Sequence, residues 1–561
     1  MTSSLATDIS YYLLILFTGL FSGLFFVPLS VRIALRMGIL DLPDSRKVHR
    51  SPLPRMGGLG MYLSFLTTIL LCIKAAPMVQ GIALGATISC FTGLVDDLYQ
   101  IPPKMKFAGE VLASIVFTVV SGVNLPGFGD LFGLGRIDLG VAAPLVTVFC
   151  MVGVSNALNL SDGLDGLAGG IAAIAFFSLA VLAYLSQAWY SLVLSLAGLG
   201  PTLAFLRKNS YPAKLFMGDC GSLLLGFLLG AISVRLAHGG GMHQPIPPIA
   251  MATILAIPVA DTLWVMGGRL RKGENPFLPD KTHLHHRLLG MGLAHRDVVA
   301  TIYVLCALFG MLGVAGSHLP EHRLFTLTIL AVTAVYTLLW LLENKAQNLF
   351  RTKYGKRLHH RTQVPRLLLH YTGLWLPKAL AIMVASFFLP IFLIGTGNRT
   401  VGYFAVVCAV MSLLLYPWKG GRKEMPLAHA VFSMMIFCLV LFYMATPSRP
   451  AWIPSYLVGV EAAMLVWILP RLVYGRKMLY AIPSSFELIL ILFTWVVPII
   501  LAPQLGIPDE IRSLLTQSCL LSLPILLFFK QSLRRHARRN RNLAGSFILL
   551  FFAIGMINFL R

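Results

Sequence analysis

The chain has 561 residues, of which 57% are hydrophobic and only 12% are charged, and its net charge is +23. A soluble domain carries about 25% charged residues, so this composition excludes a soluble enzyme, a disordered protein and a fibrous protein, and it predicts an all-α polytopic membrane protein. The basic excess suits cytoplasmic loops, anionic lipid head groups and phosphorylated substrates, and we expect no nucleic-acid partner.

A membrane-spanning helix needs about 20 mostly apolar residues, and on this basis the sequence predicts about eighteen spans. The first lacks a basic leader and a small-residue cleavage site, so it is expected to be retained. The predicted spans before residue 343 are 11–33, 57–76, 79–95, 107–123, 140–158, 168–186, 189–206, 219–237, 247–268, 298–316 and 324–342. Those that follow are 374–396, 400–417, 427–445, 453–470, 485–503, 512–530 and 543–560.

Basic residues indicate the side of the membrane on which each loop lies. With the N-terminus outside, most of the 45 Lys and Arg residues fall on the cytoplasmic side, as the positive-inside rule requires, so both termini are expected outside. Cytoplasmic loops before about residue 297 hold clustered carboxylates, amides and histidines, whereas later ones are only basic. We expect a catalytic membrane domain at 1–342, a basic cytoplasmic linker at 343–373 and an additional transmembrane domain of open role at 374–561.

Two polar segments place carboxylates and amides at span ends. In FTGLVDDLYQIPPKMKF, Asp96 and Asp97 end a span, and Lys106 follows. Adjacent carboxylates at a membrane boundary are costly unless they are paired, hydrated or metal-bound, although a helix end that meets water would also explain them. The second segment, SNALNLSDGLDGLAGG, has an oxygen-bearing side chain every three residues and no Lys or Arg, which suits a hard cation or the hydrogen-bond donors of a ligand; a polar glycine-rich turn is the alternative. These side chains are Asn156, Asn159, Asp162 and Asp165.

A third segment, AKLFMGDCGS, places Asp219 where a predicted span begins, with Lys214 and Phe216 just before it. A carboxylate at this position either caps the helix N-terminus or serves a site.

The fourth segment, THLHHRLL, is rich in histidine. Its members are His283, His285, His286 and Arg287. Histidines can bind zinc. Arg287 and the nearby Lys281 would repel a cation and attract an anion, so phosphate recognition is the favoured interpretation, and a solvated basic loop is the third.

Together, the four segments combine oxygen ligands for a divalent cation with basic groups for phosphates. This set suits phosphoryl transfer, which needs positioning and charge neutralisation more than covalent chemistry. Mg²⁺ is favoured over Ca²⁺ because it is held by one or two protein oxygens together with substrate phosphates.

In their order and their placement on one membrane face, these motifs resemble the polyprenyl-phosphate N-acetylhexosamine-1-phosphate transferases. The resemblance covers about residues 1–320 and also includes DLPDSRKVHRSPLPRMGG at 41–58. The THLHHR form is similar to the bacterial N-acetylglucosamine branch. The reaction implied is transfer of a sugar 1-phosphate from a UDP-N-acetylhexosamine to polyprenyl (undecaprenyl) phosphate, with release of UMP, at the cytoplasmic face of the bacterial inner membrane. The implied cofactor is Mg²⁺, with Mn²⁺ as a substitute.

The resemblance also implies roles for individual residues. Asn159 and Asp219 would be metal ligands. Catalytic groups would be Asp96, Asp97, Lys106, His283, His285 and Arg287. Substrate-binding groups would be Lys47, His49, Asn156, Asp162, Asp165, Lys214, Phe216 and His286. Asp96 and Asp97 are favoured as electrostatic and positioning groups, with a base role as the alternative.

The C-terminal half has no counterpart in this resemblance, since related chains usually end after ten or eleven spans. Two alternative functions are therefore kept. One is a transporter or flippase for lipid-linked sugars, and the other is an inactive scaffold derived from the enzyme fold. Besides membrane lipids and the two substrates, the partners left open are a second copy of the chain and later enzymes of the pathway.

Overall fold

The computed structural model describes residues 2–41, 52–239, 244–274 and 282–349. Its helices are α1 Thr2–Met37, α2 Gly57–Cys72, α3 Pro77–Tyr99, α4 Pro103–Ser121, α5 Ala143–Leu160, α6 Leu167–Leu185, α7 Trp189–Asn209, α8 Gly218–His238, α9 Pro248–Ile254, α10 Ala256–Arg271, α11 Leu284–Gly290, α12 His295–Gly316 and α13 Glu321–Leu349. It also has two short antiparallel strand pairs and a 3-10 helix at Gly140–Ala142. The pairs are β1 Leu40–Asp41 with β2 Leu53–Pro54 and β3 Gly127–Gly129 with β4 Ile137–Asp138.

The helical, polytopic membrane character predicted from the sequence is confirmed. Each predicted span before residue 343 coincides with a helix or, at 247–268, with two helices. Within the described ranges, 8 helices are long and apolar enough to cross a membrane, and the pair α9–α10 makes a ninth if it is one span. Helix α2 is short for a span, and α4 carries Lys104, Lys106 and Glu110. The spans predicted after residue 373, like the additional domain they would form, lie outside the described residues.

The region expected as one span at 247–268 is broken between α9 and α10, which are bent by 79°. Pro258 explains the break. It lacks an N–H to donate to the carbonyl of Ile254, and its ring would clash with that carbonyl in a continuous helix. Helix α9 accordingly ends at Ile254, and α10 begins two residues later.

The centre of the described bundle is formed by α6, α7 and α8, whose side chains are mostly buried. Helix α1 packs on α7 and α2, α3 packs on α4 and α8, α5 packs on α8, and α12 packs on α6 and α9. Glycines of α6 lie against α7 and α12, and glycines of α8 lie against α2 and α5, as is usual for helices that associate in lipid. The described helices therefore surround the N-terminal end of α8.

Segments predicted to share a membrane face meet in space. At one end of the bundle, Phe216 N donates to Pro54 O at 2.9 Å, and Ala213 N donates to the Asp165 carboxylate at 2.9 Å. At the other end, Asn124 N lies 3.3 Å from His238 Nδ1, and Asp130 N donates to the Glu321 carboxylate. Asp219 N also donates to Asp97, and His285 packs against Gly163, so the four polar segments identified in the sequence lie at one end of the bundle. The cytoplasmic side of that end stays a prediction.

Candidate active site

The N-terminus of α8 is the point where α2, α3 and the segment before α8 converge. Gly57 N and Gly58 N donate to Phe216 O and Met217 O, each at 2.9 Å. A Cβ atom on Gly58 would collide with the backbone of Gly221, and a Cβ atom on Gly93 would collide with the backbone of Asp219. Only glycine permits these approaches, which bring the ends of α2 and α3 against the first turn of α8.

Asp97, at the end of α3, caps α8. Its carboxylate accepts hydrogen bonds from Asp219 N at 2.9 Å and from Cys220 N at 3.0 Å. The same carboxylate lies 3.1 Å from Arg55 Nε, and the Asp97 side chain is fully buried. These contacts satisfy free amides at the positive end of the α8 dipole. Asp97 therefore fixes the turn that carries Asp219.

The carboxylate of Asp219 points away from its own helix amides into a cluster of polar groups. Lys106 Nζ donates to Asp219 Oδ2 at 2.8 Å, and Asn159 Nδ2 donates to Asp219 Oδ1 at 2.9 Å. Asp96 lies 3.4 Å from Lys106 Nζ, and its carboxylate is within hydrogen-bond reach of that of Asp219. The helix-cap interpretation of Asp219 is thus wrong, since Asp97 makes that contact and Asp219 faces the cluster.

Glu110 is a polar residue of this region that the sequence analysis missed. It lies one turn after Lys106 on α4 and is 3% exposed. Its carboxylate accepts a hydrogen bond from Asn156 Nδ2, which also donates to Val152 O at 3.0 Å. The signal available in the sequence was an acid inside a predicted span, where an unpaired charge is costly. Asn156, which lies one turn before Asn159 on α5, is therefore bound to Glu110.

The loop between α5 and α6 holds the two remaining acids of SDGLDG. Asp162 is exposed, and its charge interacts with those of Asp219, Arg55 and Asp97. Asp165, by contrast, accepts the hydrogen bond from Ala213 N, and its own N–H points to His295 Nε2 at 3.2 Å. Asp162 is therefore available to a ligand, while Asp165 holds the loop against the segment that leads into α8.

His283 is held in place by Asp261 of α10, one of the two helices of the broken span. Its Nδ1 lies 2.8 Å from Asp261 Oδ2, and Asp261 Oδ1 accepts a hydrogen bond from Leu284 N at 2.8 Å. Both side chains are nearly buried. Asp261 was also missed in the sequence, where it appears as a lone acid inside the predicted span 247–268. It orients both the imidazole and the start of α11.

His285 is buried rather than solvent-facing. It is 3% exposed, its Nε2 has no hydrogen-bond partner among the described residues, and it packs where a Cβ atom on Gly163 would otherwise lie. Burial, followed by the charge of His286, lowers the pKa of His285 to about 3, so the ring is neutral at pH 7. The loop therefore meets the SDGLDG turn through an uncharged ring.

Arg287 makes a two-pronged ion pair with Glu343 of α13. Its Nε and Nη2 donate to the two carboxylate oxygens, each at 2.8 Å. Its guanidinium also lies 5.8 Å from the ring centre of Tyr336, and Nη1 is buried without a hydrogen-bond partner in the part of the chain that the structure describes. Bidentate pairing of this kind gives strong geometric control. Helix α13 thus sets the position of the THLHHR loop.

The other residues expected at the site are distributed as follows. Lys214 is exposed, Phe216 is half-buried directly before the first turn of α8, and His286 is half-buried with its ring 4.2 Å from that of His285. Lys47 and His49 lie outside the described residues. The structure therefore brings Asp96, Asp97, Lys106, Asn159 and Asp219 together, and it places the histidine loop beside the turn that carries Asp162.

The cluster at Asp219 fits a divalent cation of the Mg²⁺ type. Two carboxylates, Asp96 and Asp219, face each other beside the Asn159 amide, and a cation between them would relieve their repulsion. Three or more His, Cys, Asp or Glu side chains do not form a metal-ligand group within the described ranges. That is compatible with Mg²⁺, which takes few protein ligands and completes its shell with water and substrate phosphates.

The sequence of this chain is similar to those of known proteins. Residues 79–237 match glycosyl transferase family 4. The chain is 36% identical over 297 residues to the probable undecaprenyl-phosphate N-acetylglucosaminyl 1-phosphate transferase of Bacillus subtilis, covering 52% of this chain and 81% of the relative. It is 32% identical to the undecaprenyl-phosphate alpha-N-acetylglucosaminyl 1-phosphate transferase of Yersinia pestis, covering 54% and 84%. It is 34% identical to the decaprenyl-phosphate N-acetylglucosaminephosphotransferase of Mycolicibacterium smegmatis, covering 48% and 74%.

Proposed function

Since the chain belongs to glycosyl transferase family 4, we propose that this membrane enzyme transfers N-acetylglucosamine 1-phosphate from a UDP-sugar to polyprenyl phosphate and releases UMP. The observation that carries the proposal is the Asp219 carboxylate held between Lys106 and Asn159, with Asp96 beside it. A cluster of opposite charges that can hold a cation suits the meeting of two phosphate anions better than it suits a transport path.

In the proposed reaction, an oxygen of the lipid phosphate forms a bond to the β-phosphorus of the UDP-sugar. The bond from that phosphorus to the bridging oxygen breaks, and UMP leaves with the electron pair. A phosphate monoester has a second pKa near 6, so much of the acceptor is already ionised at pH 7 and a strong base is not needed. Asp97 supports this account, because its carboxylate is occupied by Asp219 N, Cys220 N and Arg55.

Lys106 is the cation best placed to offset charge that develops on the phosphoryl oxygens. It reaches Asp219 at 2.8 Å and Asp96 at 3.4 Å, and preorganised charges of this kind stabilise a transition state without reorganisation. When bound, Mg²⁺ would be held by Asp219 and Asn159, with Asp96 beside them, and would neutralise phosphate charge. The donor would lie along Asp162 and the THLHHR loop, with the buried His285 packed against Gly163.

The site would lie on the cytoplasmic side of a bacterial inner membrane, because nucleotide sugars are made in the cytoplasm. The test is to incubate purified protein with UDP-N-acetylglucosamine, undecaprenyl phosphate and Mg²⁺, and to measure both UMP and the lipid product. We expect equal amounts of the two and none when the acceptor is left out. If the protein binds lipid-linked sugar or moves it across vesicles but releases no UMP, a transporter or scaffold role replaces this proposal.

A further inference from the structure

Arg55 lies at the edge of the Asp219 cluster, and backbone hydrogen bonds hold its main chain on both sides. Its N–H donates to Ile39 O at 3.3 Å, and the carbonyl of the preceding residue, Pro54, accepts from Phe216 N at 2.9 Å. Two residues later, Gly57 N donates to Phe216 O. The main chain of Arg55 is therefore fixed between strand β1 and the segment that enters α8.

The side chain is oriented by a carboxylate that is itself immobile. Arg55 Nε lies 3.1 Å from Asp97 Oδ1, and the Asp97 side chain is fully buried whereas that of Arg55 is 35% exposed. Because Asp97 is also bound to two α8 amides, it holds one edge of the guanidinium in place. An arginine has five N–H donors in a planar fork, so binding through Nε leaves the Nη groups to point elsewhere.

The charged groups around Arg55 are mostly acidic, so a diphosphate that binds here would need a cation. Its charge interacts with those of Asp97, Asp219, Asp41 and Asp162, so it lies among acids. Lys106 is only 17% exposed and is already shared by Asp96 and Asp219. Carboxylates in this number would repel a diphosphate unless a second cation that is open to solvent offsets them.

The surroundings of Arg55 favour the nucleotide sugar over the lipid as its ligand. Large apolar side chains are exposed at the junction of α3 and α4, next to Asp96 and Lys106, including Tyr99, Met105 and Phe107. A polyprenyl chain would meet the protein on such an apolar surface. Arg55 lies instead by strand β2 and interacts with Asp162 of the SDGLDG turn.

From this geometry we propose that Arg55 binds the diphosphate of the nucleotide-sugar donor through its Nη groups, with Asp97 as the residue that positions it. The inference deepens the proposed function and rests on it. It adds a donor-binding residue to those expected from the sequence, and it gives Asp97 a second task besides capping α8.

The test compares wild type with Arg55→Ala and Arg55→Lys, and with Arg136→Ala as a matched control. Arg136 is exposed in the turn between β3 and β4, at the other end of the bundle. Kinetic constants are measured for each substrate with the other saturating, and UDP-N-acetylglucosamine binding is measured by calorimetry. We expect Arg55→Ala to raise the donor KM and the donor Kd by about 10- to 100-fold, the range of one hydrogen bond to a charged group, with the acceptor KM nearly unchanged.

Two further readouts separate binding from a structural role. Millimolar guanidinium should restore part of the donor affinity of Arg55→Ala, which a misfolded variant would not show. Arg55→Lys keeps the charge next to Asp97, so it should fold like wild type but recover only part of the affinity, since a lysine lacks the planar fork.

An unchanged donor KM and Kd in Arg55→Ala would overturn the inference, and so would an effect on the acceptor alone. If wild type releases no UMP, the proposed reaction fails, and the calorimetric comparison still decides whether Arg55 binds the nucleotide sugar.

Discussion

Asp97→Asn is the substitution that most sharply probes how the site is assembled. The change keeps the shape of the side chain but replaces one carboxylate oxygen with an NH₂ group and removes the charge. Three donors share the carboxylate of the wild-type protein, namely Asp219 N at 2.9 Å, Cys220 N at 3.0 Å and Arg55 Nε at 3.1 Å. In either amide orientation, the new NH₂ group faces at least one of these donors and cannot accept from it.

The magnitude of the effect follows from the hydrogen bonds that the new amide cannot accept. The amide keeps two of the three donors if its oxygen takes the place of Oδ1, and then only the bond from Cys220 N is lost. A hydrogen bond to a charged group contributes about 1.5–3 kcal/mol, so the free energy of unfolding should fall by at least that amount. Because the first turn of α8 also carries Asp219, we expect the rate of UMP release to fall at least about a hundredfold, in line with losing one transition-state interaction.

Thermal unfolding in detergent and UMP release are measured on the same preparations. Asp96→Asn is the informative comparison. The α8 amides bind Asp97 and not Asp96, so this substitution leaves the helix cap intact. Lys106, the cation nearest to Asp96, keeps its contact with Asp219. Asp96→Asn should lose activity with little change in Tm, whereas Asp97→Asn should lose both. A variant Asp97→Asn with wild-type Tm and a normal rate would refute the capping role.

The other predictions concern the metal, the histidine loop and the chain end. Excess EDTA should abolish UMP release, and added Mg²⁺ or Mn²⁺ should restore it; full activity in EDTA would remove the metal assignment. Purified protein should hold no stoichiometric zinc, and His285→Ala should weaken use of the UDP-sugar; one tightly held zinc per chain would contradict this. Because the pKa of His285 is lowered to about 3 from an ordinary 6.5, the neutral ring's contribution to stability should be complete above pH 6.5 and lost as the pH falls towards 3. This loss should be smaller in His285→Gln when Tm is followed against pH. A chain ending at Leu349 should keep UMP release with purified substrates, whereas one ending before α13 should lose it, because Glu343 holds Arg287.

Much of the architecture could be predicted because apolar runs and charge alternation are properties of the chain itself. The helices follow the predicted spans, and the four polar segments meet at one end of the bundle. The break before Pro258 was not predicted, since a proline inside an apolar run either kinks a helix or is accommodated, depending on its neighbours.

The partners within the site could not be predicted in the same way. Asp97 and Asp219 both stand near a helix end in the sequence, and only the approach of Gly93 to α8 decides which of them caps it. Glu110 and Asp261 gave a weak signal as acids inside predicted spans, because their partners, Asn156 and His283, are distant in the sequence.

The measurement that tests the central claim most directly is UMP release by equal amounts of wild type, Asp219→Asn and Asp138→Asn in one detergent. Asp138 is exposed on β4, at the other end of the bundle, and serves as the matched acid. The account predicts a loss of at least about a hundredfold for Asp219→Asn, equivalent to roughly 3 kcal/mol of transition-state stabilisation, and a wild-type rate for Asp138→Asn. A near-normal rate for a well-folded Asp219→Asn protein would contradict the assignment of this cluster as the site of phosphoryl transfer.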